Sequence, residues 1–287
     1  MRFVALSMVI RIALLILLML SCFGCLSQPE RNGGSSPSAQ ASNPLSTPSP
    51  EASPAPRKEV SFADGLRIVP KNVNLENERW RYKIDVDYPQ IEGSNDSSIR
   101  SLNMTIEKLV KKKYSWMLKS PTKKELGYYS KWPDVYNSVE IEYDVTLATD
   151  DLLSVYLTTY HYGIGAAHSV HESFSVNYDL KTHRLLALDD NFTRSSQYLQ
   201  FISRRCIEEL SKSNPMVSTD PSAKKLNAQS SNFESWNITP RGLRVNFDAC
   251  RIASCAEGDL QVEIPFDELQ SIIDVVGPLR SLSTRRG

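Results

Sequence analysis

Three of the four histidines in the chain lie in one stretch, YHYGIGAAHSVHESFSVNYDL, which covers residues 160–180. His161, His168 and His171, with Glu172 beside them, are the residue types of a catalytic zinc site, which needs three protein ligands, an open position and a supporting carboxylate. However, His168 and His171 are three positions apart in or beside a predicted strand, so they would face opposite sides of it. His161 precedes two glycines on a different strand. We therefore expect no bound metal and no cofactor.

The residues between the histidines indicate a shaped loop instead. Gly163 and Gly165 permit the positive φ of a tight turn, and His168 is expected either to hold the loop through a backbone hydrogen bond or to lie at its rim. The predicted ligand-binding surface consists of Tyr160, His161, Tyr162, Gly163, Gly165 and His168. The alternative is an enzyme that uses His168 with a carboxylate, but the sequence shows neither a Ser or Cys nucleophile motif nor a complete metal signature.

Two other groups could do chemistry, but a structural role suits each of them better. Cys206 lies among apolar residues at helical spacing, which predicts a buried position. A catalytic thiol needs exposure and a neighbouring base or positive field. Asp189 and Asp190 could form an acid/base pair, yet adjacent carboxylates after a strand more often cap a turn or helix.

The remaining paired cysteines, Cys250 and Cys255, have four residues between them. In an oxidising compartment this spacing suits a local disulfide across a turn. A structural zinc site would need further ligands, and there is no second cysteine pair.

Aromatic residues and lysines are concentrated before the histidine stretch. Trp116, Tyr128, Tyr129 and Trp132 fall in a segment that looks rich in loops. They could form a platform that binds a sugar or a protein, although aromatic side chains more often belong to a core. The run of lysines at 111–113 predicts the solvated end of a helix.

The N-terminus has the pattern of a secretory signal. Arg2 and Arg11 are the only charges in residues 1–25, and every residue from 12 to 20 is apolar. The end of this segment resembles a bacterial lipoprotein signal, in which Cys22 takes the lipid and Cys25 is the alternative. An uncleaved membrane anchor and a plain secretory signal are the other interpretations.

Residues 26–58 are rich in Ser, Pro, Ala and Gly, which predicts a disordered linker because such a segment cannot bury enough apolar surface to fold. The folded part then begins at residue 59. Charges balance over the chain, with 33 basic and 33 acidic residues, so nothing points to a nucleic-acid partner.

Hydrophobic periodicity predicts a mixture of strands and helices. Helical spacing recurs from Ile99 to Val110 and again around Cys206, and Pro265 opens a short terminal helix. Alternation predicts strands at residues 79–88, 139–147, 152–162, 170–178, 185–188, 236–239, 243–247 and 260–264. The order of these elements predicts an α+β fold in which helices pack on an antiparallel sheet.

Several segments, in this order, resemble an extracytoplasmic bacterial domain family. They are WRYKIDVDYPQIEG with SIRSLNMTIEKLV, the histidine stretch with its continuation KTHRLLALDDNF, NFESWNITPRGLRVNF, and AEGDLQVEIPFDEL. The family occurs in RsiV-type lysozyme-sensing anti-sigma factors and in PdaC-type peptidoglycan deacetylases. Residues 59–135 would form the N-terminal part of the domain and residues 136–287 the C-terminal part.

The resemblance implies the fold, a location in the cell envelope and a role in ligand binding. We expect no counterpart of the deacetylase domain or of the sigma-binding segment, so the resemblance implies neither of those two activities. We therefore expect a non-catalytic protein, anchored to the extracytoplasmic or periplasmic side of a membrane by lipid, that binds a protein such as lysozyme or a cell-wall ligand such as peptidoglycan. A hydrolase or deacetylase-like enzyme acting on envelope polysaccharide is the alternative, and a structural lipoprotein is a further one.

Overall fold

A computed structural model of the chain describes residues 60–61, 65–213, 217 and 225–284. The signal segment, Cys22, Cys25 and residues 26–58 lie outside the described residues. Within the described part of the chain, no helix has the length and apolar character needed to cross a membrane.

Seven strands form the larger sheet, and their order across the sheet follows their order in the chain. They are β1 (Val60–Ser61), β2 (Arg67–Asn77), β3 (Tyr82–Glu92), β4 (Asn137–Ala148), β5 (Leu152–Tyr162), β6 (Val170–Asp179) and β7 (Arg184–Leu185). All neighbouring strands are antiparallel except β3 and β4, which run parallel. Parallel neighbours need a long crossover, and helices α1 (Ser97–Tyr114) and α2 (Lys123–Tyr129) lie in it. The α+β class is confirmed, with a mixed sheet.

The smaller sheet contains three antiparallel strands in the order β10, β9, β8. These are β8 (Trp236–Ile238), β9 (Gly242–Phe247) and β10 (Leu260–Pro265). Helix α3 (Tyr198–Ser213) packs against this sheet and shares its hydrophobic core, and the short helices α4 (Phe266–Leu269) and α5 (Arg280–Ser283) follow β10.

Strand β3 does not end at Pro89, as the sequence predicts, but continues to Glu92. The reason is that β3 pairs with β4 only as far as Val86. Beyond that point the Asn103 side chain of α1 takes the place of a neighbouring strand: it accepts a hydrogen bond from the Ile91 amide and donates one to the Ile91 carbonyl, each 2.8 Å long. A proline can therefore lie in the strand without removing a bond to β4.

Helix α1 forms as its sequence predicts. The Asp96 side chain caps its N-terminus by accepting a hydrogen bond from the Ser98 amide at 2.8 Å. Its apolar positions are buried against the larger sheet, and the three lysines of its last turn lie where the helix dipole favours cations.

Both predictions for the last three cysteines are confirmed. Cys250 and Cys255 form a disulfide, with their Cα atoms 4.2 Å apart. Cys206 is free and fully buried on the inner face of α3, and burial raises the pKa of its thiol to about 12. Cys206 therefore acts as a small core residue.

The two sheets meet through a set of polar side chains that we call the polar seam. Five of them are buried and three are half-buried. The buried ones are Ser154, Asn177, Ser235, Asn237 and Asn246, and the half-buried ones are Thr146, Ser173 and Ser175. At its centre the Ser154 hydroxyl donates to Asn177 Oδ1 at 2.6 Å and accepts from Asn237 Nδ2 at 3.0 Å. Asn177 Nδ2 in turn donates to the Trp236 carbonyl at 2.8 Å. The seam thus joins β5 and β6 of the larger sheet to β8 of the smaller one.

We expect Asn177→Ala to reduce the free energy of unfolding by about 2–4 kcal/mol, because it leaves the Trp236 carbonyl and the Ser154 hydroxyl buried without their partner. The matched control is Asn72→Ala, which removes an exposed 2.8 Å bond to Asp87 and should change stability by less than about 0.5 kcal/mol. Urea unfolding of both variants measures the difference. An equal loss of free energy of unfolding in the two variants would show that the buried seam bond stabilises the fold no more than an exposed bond does.

Candidate functional site

The predicted binding loop, residues 163–169, connects β5 to β6 and is anchored by its second residue. Ile164 is buried, and its amide donates a hydrogen bond of 2.9 Å to the Asn137 side chain at the start of β4. The Ala166 amide donates to the Gly163 carbonyl at 2.8 Å, which closes a tight turn. The rest of the loop is exposed.

The two glycines of the loop differ in conformation. Gly165 has φ +88°, as the sequence predicts, but Gly163 does not adopt a positive φ, so that prediction is wrong for Gly163. A Cβ added at Gly163 would meet no atom within 4 Å. Only Gly165 is therefore required by the shape of the turn.

Helix α2 packs against this loop through Tyr128. A Cβ at Gly165 would overlap the Tyr128 hydroxyl, so the glycine leaves room for that side chain. A capping box fixes the start of α2: the Glu125 amide donates to Thr122 Oγ1 at 3.2 Å, and the Thr122 amide donates to Glu125 Oε2 at 2.7 Å. The helix lies in the segment that the sequence suggests to be rich in loops, and it brings the aromatic segment to the binding loop.

Most of the aromatic side chains in that segment lie at the surface. Trp116 is 48% exposed, and Tyr128 and Trp132 are 43% exposed, while Tyr129 is half-buried. The interpretation as a surface platform therefore fits Trp116, Tyr128 and Trp132 better than the interpretation as core residues.

Each histidine of the stretch has its own partner. His168 is exposed, and its Nδ1 lies 2.9 Å from the Ser169 carbonyl, which agrees with the expected bond to backbone. His161 Nε2 lies 3.4 Å from Glu172 Oε1. His171 Nε2 lies 2.5 Å from Asp259 Oδ1. Within the described ranges, no three His, Cys, Asp or Glu side chains are grouped so that they could hold a metal.

The enzymatic alternative requires a carboxylate beside His168, but the carboxylates of this end pair with His161 and His171 instead. The one hydrogen bond of the His168 ring that the structure shows is to the Ser169 carbonyl. The remaining predicted contacts, Tyr160 and Tyr162, lie at the end of β5, with Tyr160 exposed and Tyr162 half-buried.

The disulfide-bonded loop between β9 and β10 is attached to β6 by two carboxylates. Asp259 binds His171 and also accepts a hydrogen bond from the Ala249 amide at 2.9 Å. Asp248 Oδ1 accepts from the amide and the hydroxyl of Ser173, at 2.9 and 2.5 Å. The sequence gives no signal for these contacts because the partners are far apart in the chain.

Glu172 links the end of β6 to helix α1. Its Oε1 accepts a hydrogen bond from Lys113 Nζ at 2.9 Å and lies next to His161. Partial burial opposes ionisation of Glu172, but Lys113 and His161 outweigh this effect, so the pKa of its carboxyl lies below the usual 4.5. The ion pair therefore holds α1 against the strand that leaves the binding loop.

A separate cleft of about 830 Å³ lies near the turn after β6 and the C-terminal segment. Its walls carry both signs of charge, including Arg184, Asp189, Asp190, Arg194 and Arg280. Asp190 has structural partners on both sides. Burial would raise its pKa, but a 2.8 Å ion pair with Arg184 and a 2.7 Å hydrogen bond from the Ala187 amide together lower it. Asp190 therefore caps a turn, as the sequence favours.

Two protein families match consecutive parts of the chain. Residues 75–171 match the family described as "Deacetylase PdaC", and residues 189–267 match "Protein of unknown function (DUF3298)". A curated relative, the peptidoglycan-N-acetylmuramic acid deacetylase PdaC of Bacillus subtilis (strain 168), is 25% identical over 138 residues. The match covers 48% of this chain but only 29% of the relative, so the chain spans less than a third of the relative's length.

Solved structures of DUF3298 family proteins are also similar. One, from Bacteroides fragilis NCTC 9343, has a TM-score of 0.56 at 16% identity and covers 77% of this chain and 97% of its own. Another, from Pseudomonas aeruginosa PAO1, has a TM-score of 0.47 at 16% identity and covers 73% of this chain and 94% of its own. The first of these similarities shows a shared fold.

We expect Gly165→Val to lower the free energy of unfolding by about 1–3 kcal/mol, because valine at φ +88° is strained and its side chain would overlap Tyr128. Gly163→Val is the matched control and should change stability by less than about 0.5 kcal/mol. Adding Tyr128→Ala to the Gly165→Val chain should recover part of the loss. Urea unfolding tests this, and equal effects at the two glycines would contradict the packing of Tyr128 on Gly165.

The Lys113–Glu172 pair should make stability depend on acid pH. The pKa of Glu172 is lower in the folded chain than its usual value of 4.5. The ionised carboxylate therefore adds to the free energy of unfolding above pH 4.5, and this contribution is lost as the pH falls through the pKa of the folded state. Lys113→Met, which keeps an apolar stem, should move that loss to higher pH. Lys112→Met is an exposed control and should not. Urea unfolding at several pH values measures this, and identical profiles for both variants would refute the coupling.

Proposed function

Since this chain carries a PdaC-family domain followed by a DUF3298 domain, we propose that it is a non-catalytic binding protein of the bacterial cell envelope. In this proposal the chain is held at the extracytoplasmic or periplasmic face of a membrane by a lipid on Cys22, with Cys25 as the alternative. The folded part recognises a protein, such as lysozyme, or a cell-wall ligand through the binding loop and its neighbours.

The family relationship supports the envelope location. The curated relative is named as an enzyme of peptidoglycan, which is an envelope polymer, and the first 25 residues have the pattern of a lipoprotein signal. A Ser- and Pro-rich stretch follows, as a tether between an anchor and a folded domain would.

One observation supports the binding role most strongly: three separate segments of the chain contact the exposed binding loop and the adjoining start of β6, and so fix their position. Gly165 packs beneath Tyr128 of α2, Ile164 is tied to Asn137, and the neighbouring His171 is bonded to Asp259 of the disulfide-bonded loop. A surface fixed before a ligand arrives loses less conformational entropy on binding, which favours recognition. The Tyr160 ring lies against His171, with centroids 5.7 Å apart, and adds an exposed aromatic face.

The test is a pull-down with the immobilised full chain in mild detergent, against envelope extract and against purified lysozyme. We expect a retained partner whose recovery falls several-fold with Tyr160→Ala or His168→Ala. His183→Ala is the matched control, since His183 is an exposed histidine at the other end of β6 and should not affect recovery. A partner retained equally by all variants would place the site elsewhere.

The anchor has an independent test. Cys22→Ala should release the protein from the membrane fraction if Cys22 carries the lipid, while Cys25→Ala should leave it bound, because one or more acyl chains supply most of the membrane affinity. Fractionation with detection of acylation measures both. Continued acylation of the Cys22→Ala chain would assign the lipid to Cys25 instead.

An enzyme acting on envelope polysaccharide is the second candidate, and the name of the curated relative is the observation that favours it. Release of acetate or of reducing sugar ends from peptidoglycan by the purified chain, together with no retained partner, would support this candidate. A purely structural lipoprotein would show neither result.

A further inference from the structure

Positive charge is concentrated in one part of this electrically balanced chain. Between Arg100 and Lys131 there are nine Lys and Arg residues and only two acidic residues, Glu107 and Glu125. The whole chain has 33 of each sign, so this segment is a local basic region. It consists of α1, α2 and their connection.

Most of these cations are free to meet a partner. Seven lysines of the segment are exposed, and none of them forms an ion pair with another residue that the structure describes: Lys108, Lys111, Lys112, Lys119, Lys123, Lys124 and Lys131. Lys113 is different because it is bound to Glu172. Unpaired cations that gather on one surface attract a polyanion.

Aromatic rings line a recess within this basic region. The recess has a volume of about 250 Å³, and Trp80, Tyr82, Trp116 and Tyr129 lie on its walls together with Lys119. The carboxylate of Glu125 also lies on the wall, where it accepts the capping hydrogen bond from the Thr122 amide at 2.7 Å. The Trp80 and Tyr82 rings form a tilted pair with centroids 6.4 Å apart. The indole N–H of Trp116 donates to the Lys113 carbonyl at 3.1 Å, which fixes the orientation of the ring.

A second recess of about 300 Å³ adjoins the first at Tyr129, which contributes to both. Arg79 and Arg81 line it, together with Leu126 and Pro133. Arg81 is already bonded to the Trp132 carbonyl at 2.5 Å, whereas Arg79 is exposed and makes no ion pair among the described residues. Each recess thus combines an apolar wall with an unpaired cation.

We propose that these two recesses bind successive units of an acidic polysaccharide, with sugar rings against the aromatic walls and carboxylates or phosphates on Lys119 and Arg79. Each recess is at or below the lower end of the range for pockets that hold a whole drug-sized ligand, about 300–1,000 Å³, so the pair suits a chain of repeating units. An anionic lipid surface fits less well, because the rings line recesses and a flat surface would not reach into them.

This inference rests on the proposed binding role and names the class of cell-wall ligand. It uses a surface beside the binding loop, which Tyr128 of α2 contacts at Gly165. The two proposals can fail separately. If no glycan binds but the binding loop still retains a protein ligand, this inference is wrong and the binding role stands.

The test measures binding of the full chain in mild detergent to four probes: polygalacturonate, inorganic polyphosphate, dextran and vesicles of phosphatidylglycerol. Polygalacturonate supplies rings with charge, polyphosphate charge alone, and dextran rings alone. We expect polygalacturonate to bind most tightly, with an affinity that falls as salt screens the cations. Trp116→Ala should weaken polygalacturonate binding about fivefold and leave polyphosphate binding unchanged, because only the former uses a ring contact.

The charge variant is Arg79→Gln with Lys119→Gln, and we expect it to weaken polygalacturonate binding about fivefold to tenfold. Its matched control is Lys71→Gln with Arg194→Gln, which removes the same charge from exposed residues elsewhere and should have little effect. Three results would overturn the proposal: no binding of polygalacturonate, equal binding of polyphosphate with no effect of Trp116→Ala, or binding to the vesicles alone.

Discussion

The position of the smaller sheet on the larger one depends on the hydrogen bonds of the Ser154 hydroxyl. This hydroxyl is fully buried between the two sheets, where it donates to Asn177 and accepts from Asn237 and from the Ile238 amide at 3.0 Å. A purely apolar interface between sheets tolerates sliding, but a buried polar network is satisfied in only one register, since each unmet bond carries a desolvation penalty. The polar seam therefore fixes how the smaller sheet lies on β5 and β6.

This register matters because the candidate site draws on both family-matched parts of the chain. The binding loop and Tyr128 come from the part that matches the PdaC family, residues 75–171, whereas Asp248 and Asp259 come from the part that matches DUF3298, residues 189–267. The two carboxylates lie in the segment between β9 and β10, and they reach Ser173 and His171 only if the smaller sheet lies correctly against β6. The candidate site around the binding loop therefore needs residues from both matched parts, and neither part can form it alone.

Local patterns in the sequence predict most of the elements but few of the contacts between them. Alternation predicts β5 with its observed bounds, and helical spacing from Ile99 to Val110 predicts α1. Strand β2 is missed because it is largely exposed and has no clear apolar alternation. The sequence does not predict the polar seam either, because a serine or asparagine in a strand, such as Ser154 or Asn177, is usually expected to face solvent. The fit of Gly165 beneath Tyr128 depends on a long-range approach that spacing cannot reveal.

Native-state hydrogen exchange tests most directly whether the seam makes the two sheets one cooperative unit that supports the site. If it does, the slowest amides of β5 and of β9 should exchange with the same opening free energy, equal to the global free energy of unfolding. Asn177→Ala should lower both by the same amount. Exchange of β8–β10 through an opening about 2 kcal/mol or more below that of β5, with only one sheet responding to Asn177→Ala, would contradict the account.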